Sequence, residues 1–161
     1  MRILALAGGI AGAVALSQFP EFSQQYVQRL SGAADELRAV TFAFDTAARV
    51  GGFTREEALG ELRGTGFGDQ FSDDMRTRIY RYERLNADYQ ALASAQPLQR
   101  LARVWRIRDP ELVQRTWDDF QPAVPVTSEG LIFAGIGYAG GWLLVTLVLG
   151  LLFGRRRLRR A

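Results

Sequence analysis

Cysteine, histidine and lysine are all absent from the 161-residue chain. Without cysteine there is no disulfide framework and no thiol nucleophile. Without histidine the commonest general base and the commonest zinc ligand are missing, and a Ser-His-Asp arrangement is excluded. Without lysine the glycine-rich stretch at Gly64, Gly66 and Gly68 cannot be a P-loop. All 20 basic residues are arginine, which, with the abundant Ala and Gly, points to a GC-rich bacterial genome. Strand-like alternation nowhere lasts, and no repeat or low-complexity block is present.

The charge balance is uneven along the chain. The net charge is +3, yet Arg155, Arg156, Arg157, Arg159 and Arg160 alone supply five positive charges. Residues 20–128 hold 14 arginines against 16 acids. The basicity is therefore local, and the near-neutral body offers no nucleic-acid footprint, which needs a basic face on the folded domain.

What the chain does have is two apolar runs. Residues 131–153 carry no charge. As a helix they span about 34 Å, enough for a hydrocarbon core of roughly 30 Å. A core helix of a soluble protein is rarely apolar on every face for so long. Gly154 and the five arginines close the run, as at the cytoplasmic end of a transmembrane helix. The second run, 3–19, has two readings. It is a signal peptide cleaved near Ala13-Val14-Ala15, or a retained first span at the short end of the usual range. The retained span is favoured because its small residues, Ala5, Gly8, Gly12 and Ala15, recur at helical spacing. A matching stripe, Gly130, Ala134, Gly137 and Gly141, marks the second run. Gly8 with Gly12 and Gly137 with Gly141 form small-xxx-small patterns that let helix backbones approach closely in lipid. The stripes leave open whether the partner is the other span or another chain.

The arginines set the expected orientation. The C-terminal tail is cytoplasmic, two spans return the N-terminus to the same side, and the segment between faces the periplasm. The expected organisation is an N-terminal span or signal anchor over 1–19, an extracytoplasmic helical domain over 20–128, a second span over 129–154 and a cytoplasmic arginine-rich tail over 155–161.

The middle segment reads as all-α. After Pro20, an N-terminal-turn proline, Phe22, Tyr26, Leu30, Ala33, Leu37, Val40, Phe44 and Ala47 recur at spacings of 3 and 4, the seam of a long coiled-coil-like helix. Gly51-Gly52 ends it. Thr54 and Glu57 form a capping box for a short helix with Ala58 and Leu62 on one face, broken by Gly64, Gly66 and Gly68. Ser72 or Asp73 is expected to cap the next helix, whose seam is Met75, Ile79, Tyr82, Leu85, Tyr89 and Leu92. These two long helices predict an antiparallel hairpin. A third stretch over 98–107 has Leu101, Val104 and Trp105 as its apolar side. Asp109-Pro110-Glu111 restarts the helix with a cap and an N1 proline, with Leu112, Val113, Trp117 and Phe120 expected to be buried. Pro122 and Pro125 give an extended link to the last span.

The residues Gln18-Phe19-Pro20-Glu21-Phe22, Gln25-Tyr26, Arg29-Leu30, Asp35-Glu36-Leu37, Arg55-Glu56-Glu57-Ala58, Arg81-Tyr82-Glu83 and Trp117-Asp118-Asp119-Phe120-Gln121-Pro122-Ala123-Val124-Pro125 resemble a bacterial family of two-span membrane proteins, domain of unknown function 2937. The resemblance covers nearly the whole chain. It implies a membrane protein and carries no functional residue with it.

The remaining constellations are weak as sites. Asp118 and Asp119 with Glu111 could in principle hold a divalent cation or act as an acid/base pair, but charges on a solvated helix face explain them. Asp69, Asp73 and Asp74 do not match the spacing of a calcium loop. Arg100, Arg103, Arg106 and Arg108 interleave with Trp105, as in an interfacial helix, or form a solvent face over an apolar core. The expected function is structural: a membrane-anchored helical hairpin that meets the bilayer and a membrane-protein partner or a second copy of itself. No enzyme activity, cofactor or metal is expected. The alternative is a small transporter or channel component, against which stands the lack of ionisable residues within the spans. An enzyme built on Asp118 and Asp119 ranks last.

Overall fold

The computed structural model describes residues 2–122 and 127–154. Ala123, Val124 and Pro125, and the tail residues Arg155, Arg156, Arg157, Arg159 and Arg160, lie outside the described residues. Among the described residues every regular element is helical: α1 (Arg2–Ser17), α2 (Phe19–Val50), α3 (Arg55–Glu61), α4 (Gly66–Leu92), α5 (Pro97–Leu101), a 3-10 turn (Val104–Arg106), α6 (Pro110–Asp118) and α7 (Ser128–Gly154). They form two compact units. One holds α1, α2 as far as Gln24, α5 and α7; the other holds α2 from Gln25, α3, α4, the 3-10 turn and α6.

In the first unit α1 and α7 pack along their length as an antiparallel pair. Gly8 lies against Gly141 and Gly12 against Gly137, so residue numbers rise on one helix as they fall on the other. Phe19 stacks on the fully buried Phe133, with ring centroids 5.5 Å apart. Two helical stretches are long and apolar enough to cross a membrane, Arg2–Val50, which begins with α1 and continues into α2, and Ser128–Leu152 of α7, and most of the surface of their apolar windows is exposed. Only Gln18 separates α1 from α2. Phe22 meets Phe120 edge-on at 5.8 Å.

In the second unit α2 and α4 form an antiparallel hairpin whose core falls into two clusters. Tyr26, Val27, Leu30 and Ala34 pack with Leu85, Leu92 and Leu112 at one end. Val40 and Phe44 pack with Leu59, Met75 and Ile79 at the other. The predicted seam of α2 holds to Phe44; beyond it Ala48 is buried, not Ala47. α2 stops because Gly52 takes φ +80°, a conformation that favours glycine. The amide of Phe53 then donates to the Ala48 carbonyl at 2.9 Å and that of Gly52 to Arg49 at 3.1 Å, a Schellman ending.

The capping box of Thr54 and Glu57 opens α3. Its fully buried residue is Leu59, while Ala58 and Leu62, the predicted face, are half-buried. α4 begins earlier than Ser72 or Asp73. Thr65 is its cap, accepting from the Gly68 amide at 3.1 Å, and Gly66 and Gly68 lie in its first turn. Gly68 sits where a Cβ would strike the Leu62 carbonyl, so glycine permits the close approach. Ser72 is instead buried inside α4 and donates to the Leu59 carbonyl at 2.8 Å, tying α3 to α4.

The stretch 98–107 is not one helix. α5 ends at Leu101 and the chain turns through the 3-10 segment. α6 then starts as expected, with the Asp109 carboxylate accepting from the Leu112 amide at 3.2 Å. Its buried residues are Leu112 and Thr116; Trp117 is 70% exposed.

Candidate functional site

The most constrained surface in the first unit is the seam between α1 and α7. A Cβ on Gly12 would run into the Gly137 carbonyl oxygen, and one on Gly137 into that of Gly12. A Cβ on Gly141 would meet the Gly8 carbonyl in the same way. At Gly8 the obstacle is the Val145 side chain, with the Gly141 oxygen 3.1 Å away. The four glycines thus bring the two backbones into direct contact, the arrangement by which helices associate where lipid supplies no hydrophobic drive. Gly9, outside the predicted stripe, is also part of this surface: its Cβ would lie 2.7 Å from the Tyr138 ring. Ala15, inside that stripe, is exposed.

Toward Arg2, beyond the contact of Gly8 with Gly141, the pair leaves a cavity of about 240 Å³. Arg2 and Ala5 line it from α1, and Trp142, Thr146, Leu149 and Gly150 from α7. The Thr146 hydroxyl is occupied, donating to the Trp142 carbonyl at 2.8 Å.

The second unit is organised around buried carboxylates. Asp88 on α4 is 1% exposed. It accepts from Arg106 Nη1 at 3.0 Å, Arg108 Nε at 2.9 Å and Arg108 Nη2 at 3.2 Å. Asp109, equally buried, accepts from Arg84 at 2.9 Å and Arg81 at 3.3 Å besides capping α6. Arg81 also reaches Glu111 at 2.5 Å. Charge-assisted bonds of this number are what make a buried carboxylate tolerable. The Tyr26 hydroxyl is buried by the backbone of Arg108 and Asp109 without a well-formed hydrogen bond, and burial pushes its pKa up. Nearer the α3 end, Arg55 grips Asp45 with two bonds, Nε to Oδ1 at 2.8 Å and Nη2 to Oδ2 at 2.6 Å, and touches Glu83 at 3.1 Å. Those bonds hold the Asp45 carboxyl below the usual range and raise the Arg55 guanidinium.

The arginine run departs from the reading as a solvent face over a core of Leu101, Val104 and Trp105. Arg106 and Arg108 turn onto Asp88, and Arg103 donates to the Ala91 carbonyl at 2.6 Å. In the first unit Arg100 is buried and donates to Gln24 at 2.7 Å, and burial lowers its pKa. Val104 and Trp105, expected in the core, are exposed, Trp105 at 64%. The arginines have found carboxylates and carbonyls inside the unit, and the tryptophan was left outside.

Among the described residues no group of three or more acidic side chains is placed to hold a metal ion. Asp118 and Asp119 are exposed, and Glu111 is engaged by Arg81 and Arg115. Asp73 pairs with Arg63 and Asp74 with Arg78, while Asp69 accepts from the Gly64 amide at 3.2 Å. The buried Asp88 was missed by sequence reasoning. Its signal was a lone acid on the inward side of α4, between Leu85 and Leu92.

A family model described as "Protein of unknown function (DUF2937)" matches residues 1–158. No curated protein and no solved structure matches the chain.

Proposed function

The chain belongs to the DUF2937 family of proteins of unknown function, and we propose that it is an integral protein of the bacterial plasma membrane that holds a helical interaction domain outside the cytoplasm. The observation that carries this reading is the exposure of the apolar side chains of α1 and α7. Ile3, Leu4, Val14, Leu131, Leu144 and Leu151 all point away from the α1–α7 pair. Apolar surface left in water costs about 25 cal/mol per Å², and a bilayer removes that cost. The glycine seam supports retention of α1, because a cleaved signal helix needs no fitted partner. The antiparallel packing supports placing both ends of the pair on one side. The arginines at 155–160 favour the cytoplasm for that side, so residues 20–128 are periplasmic.

The role of the periplasmic part is protein interaction and not catalysis. Its buried carboxylates are held by arginine side chains, while Phe42, Phe67 and Trp105 stand exposed for a membrane-protein partner or a second copy. A transporter reading lacks an acidic or basic residue between Ile3 and Ser17 or between Leu131 and Leu152.

Alkaline extraction of native membranes tests the anchor: the protein stays in the pellet, and release into the supernatant refutes it. Phosphatase and fluorescent reporters inserted near Gly66 and fused after Ala161 test the orientation; a periplasmic C-terminal reporter refutes it. Crosslinking in those membranes, read by mass spectrometry, tests the interaction role, which a strictly monomeric, partner-free protein would overturn.

A further inference from the structure

We propose that the α1–α7 pair binds one anionic phospholipid, with acyl chain in the cavity beside Trp142 and phosphate on Arg2. The inference rests on the membrane reading above. The cavity of about 240 Å³ lies between the two helices at the Arg2 end, lined by Arg2, Ala5, Trp142, Thr146, Leu149 and Gly150. Water is a poor occupant, since an enclosed water needs two to four polar partners. The wall offers few: the Thr146 hydroxyl proton is already given to the Trp142 carbonyl, Ala5 and Leu149 add aliphatic side chains, and Gly150 adds no side chain at all. The volume is also below the range of roughly 300–1,000 Å³ that takes a whole drug-sized ligand. It suits a segment of a lipid tail, which is the solvent available at that depth.

The charge pattern selects the headgroup. Among the described residues that line the cavity, Arg2 alone is ionisable. No acid lies on α1, and Glu129, the only one on α7, is at the opposite end of the pair. The sequence after α7 adds Arg155, Arg156, Arg157, Arg159 and Arg160 and no acid. A positive side chain at the mouth of an apolar cavity, with no carboxylate to neutralise it, complements a phosphate with net negative charge. Basic pockets between membrane helices on the cytoplasmic side recognise anionic headgroups in this way. A zwitterionic lipid fills the cavity equally well but brings its own cation to Arg2.

The test uses the full chain in nanodiscs of equal phosphatidylglycerol and phosphatidylcholine, released into the gas phase for native mass spectrometry. One phosphatidylglycerol is expected to remain bound in preference to phosphatidylcholine. Arg2→Gln should reduce that preference about fivefold, the effect of a single basic side chain at an anionic surface, while lipid stays bound. Gly150→Leu adds bulk at a lining position where a Cβ meets nothing within 4 Å, and should remove the bound lipid of either kind. A variant with the five tail arginines changed to glutamine should keep the retained phosphatidylglycerol, which separates the cavity from general attraction by the tail. Equal retention of the two lipids by the wild-type chain overturns the proposal, as does a preference unchanged in Arg2→Gln or a lipid retention unchanged in Gly150→Leu. A chain released by alkaline extraction refutes the membrane reading itself; a chain that stays in the membrane without lipid preference refutes only this inference.

Discussion

Replacing Gly12 with alanine adds one methyl group at the point where α1 and α7 touch backbone to backbone. Ordinary contact with a Cβ begins near 3.4 Å, and the Gly137 carbonyl lies well inside that limit. Neither atom belongs to a flexible side chain, so the helices must part by about 1 Å, a displacement that overpacked sites absorb at a cost of about 1–3 kcal/mol. Separation on this scale also forfeits a quarter to a half of the dispersion energy of each contact along the seam. Gly137→Ala should cost about the same, and the double variant less than the sum, because the first methyl has already opened the gap for the second. Gly8→Ala should be milder, since the nearest obstacle there is a Val145 methyl and the Gly141 carbonyl oxygen stands farther off, at 3.1 Å. Gly135→Ala and Gly140→Ala are the controls: a Cβ at either position meets nothing within 4 Å. With no native cysteine, dyes on thiols introduced at exposed Leu4 and Leu147 report helix separation during SDS titration in mixed micelles. Loss of energy transfer at lower SDS is expected for Gly12→Ala and not for the controls. Identical midpoints for Gly12→Ala, Gly135→Ala and Gly140→Ala would refute the seam and, with it, the case for a retained α1.

The carboxylate centres make an asymmetric prediction. Asp88→Asn leaves Arg106 and Arg108, both part-exposed, to water, whereas Arg106→Ala with Arg108→Ala strands a buried carboxylate; the double arginine variant should lose about 3–5 kcal/mol and the asparagine variant clearly less, read by urea unfolding in detergent. Asp45 has a depressed folded-state pKa, so its stabilisation is present above the ordinary carboxylate value and lost as pH falls through the depressed one. Asp45→Asn should therefore flatten the acid limb of a stability–pH curve below about pH 4, and an unchanged limb counts against the Arg55 clamp. Thr54→Ala should cost about 1 kcal/mol by removing the cap of α3, detected as a lower thermal midpoint. Trp105→Ala should change stability by less than about 0.5 kcal/mol, against about 2–5 kcal/mol for Leu85→Ala at a fully buried position.

The helical fold was legible because its determinants are local. The spacing of Tyr26, Leu30 and Leu37 against Leu85 and Leu92 is visible in the chain, and those residues do pack together. So are the Thr54–Glu57 box, the Gly51-Gly52 ending and the Asp109 cap, each complete within six residues. The start of α4 misled for a local reason too. Three glycines in five residues look like a break, yet Gly66 and Gly68 are inside the helix, one of them so that the backbone can press against the Leu62 carbonyl. Composition alone does not separate a glycine that ends a helix from one that lets it approach a neighbour.

The arginine run failed for a different reason, and it bears on how the interaction surface should be sought. A window around Arg100, Arg103, Arg106 and Arg108 shows alternating charge and bulk, which suggests charge outward and Trp105 inward. The buried acid Asp88 lies 18 and 20 residues before Arg106 and Arg108, outside any such window. Two arginines that reach it satisfy a carboxylate in the interior, and the first of them, Arg106, ends a 3-10 turn over Val104–Arg106 that leaves Trp105 on the outside. Long-range ion pairing has overridden local amphipathicity here. Aromatic surface that the local pattern assigns to the core is thereby released to the exterior, and tryptophan is among the residues that most often anchor protein interfaces. With the proposed partner docked on the exposed face around Trp105, weakening the Asp88 clamp should disturb crosslinking through this face even though Asp88 itself is buried.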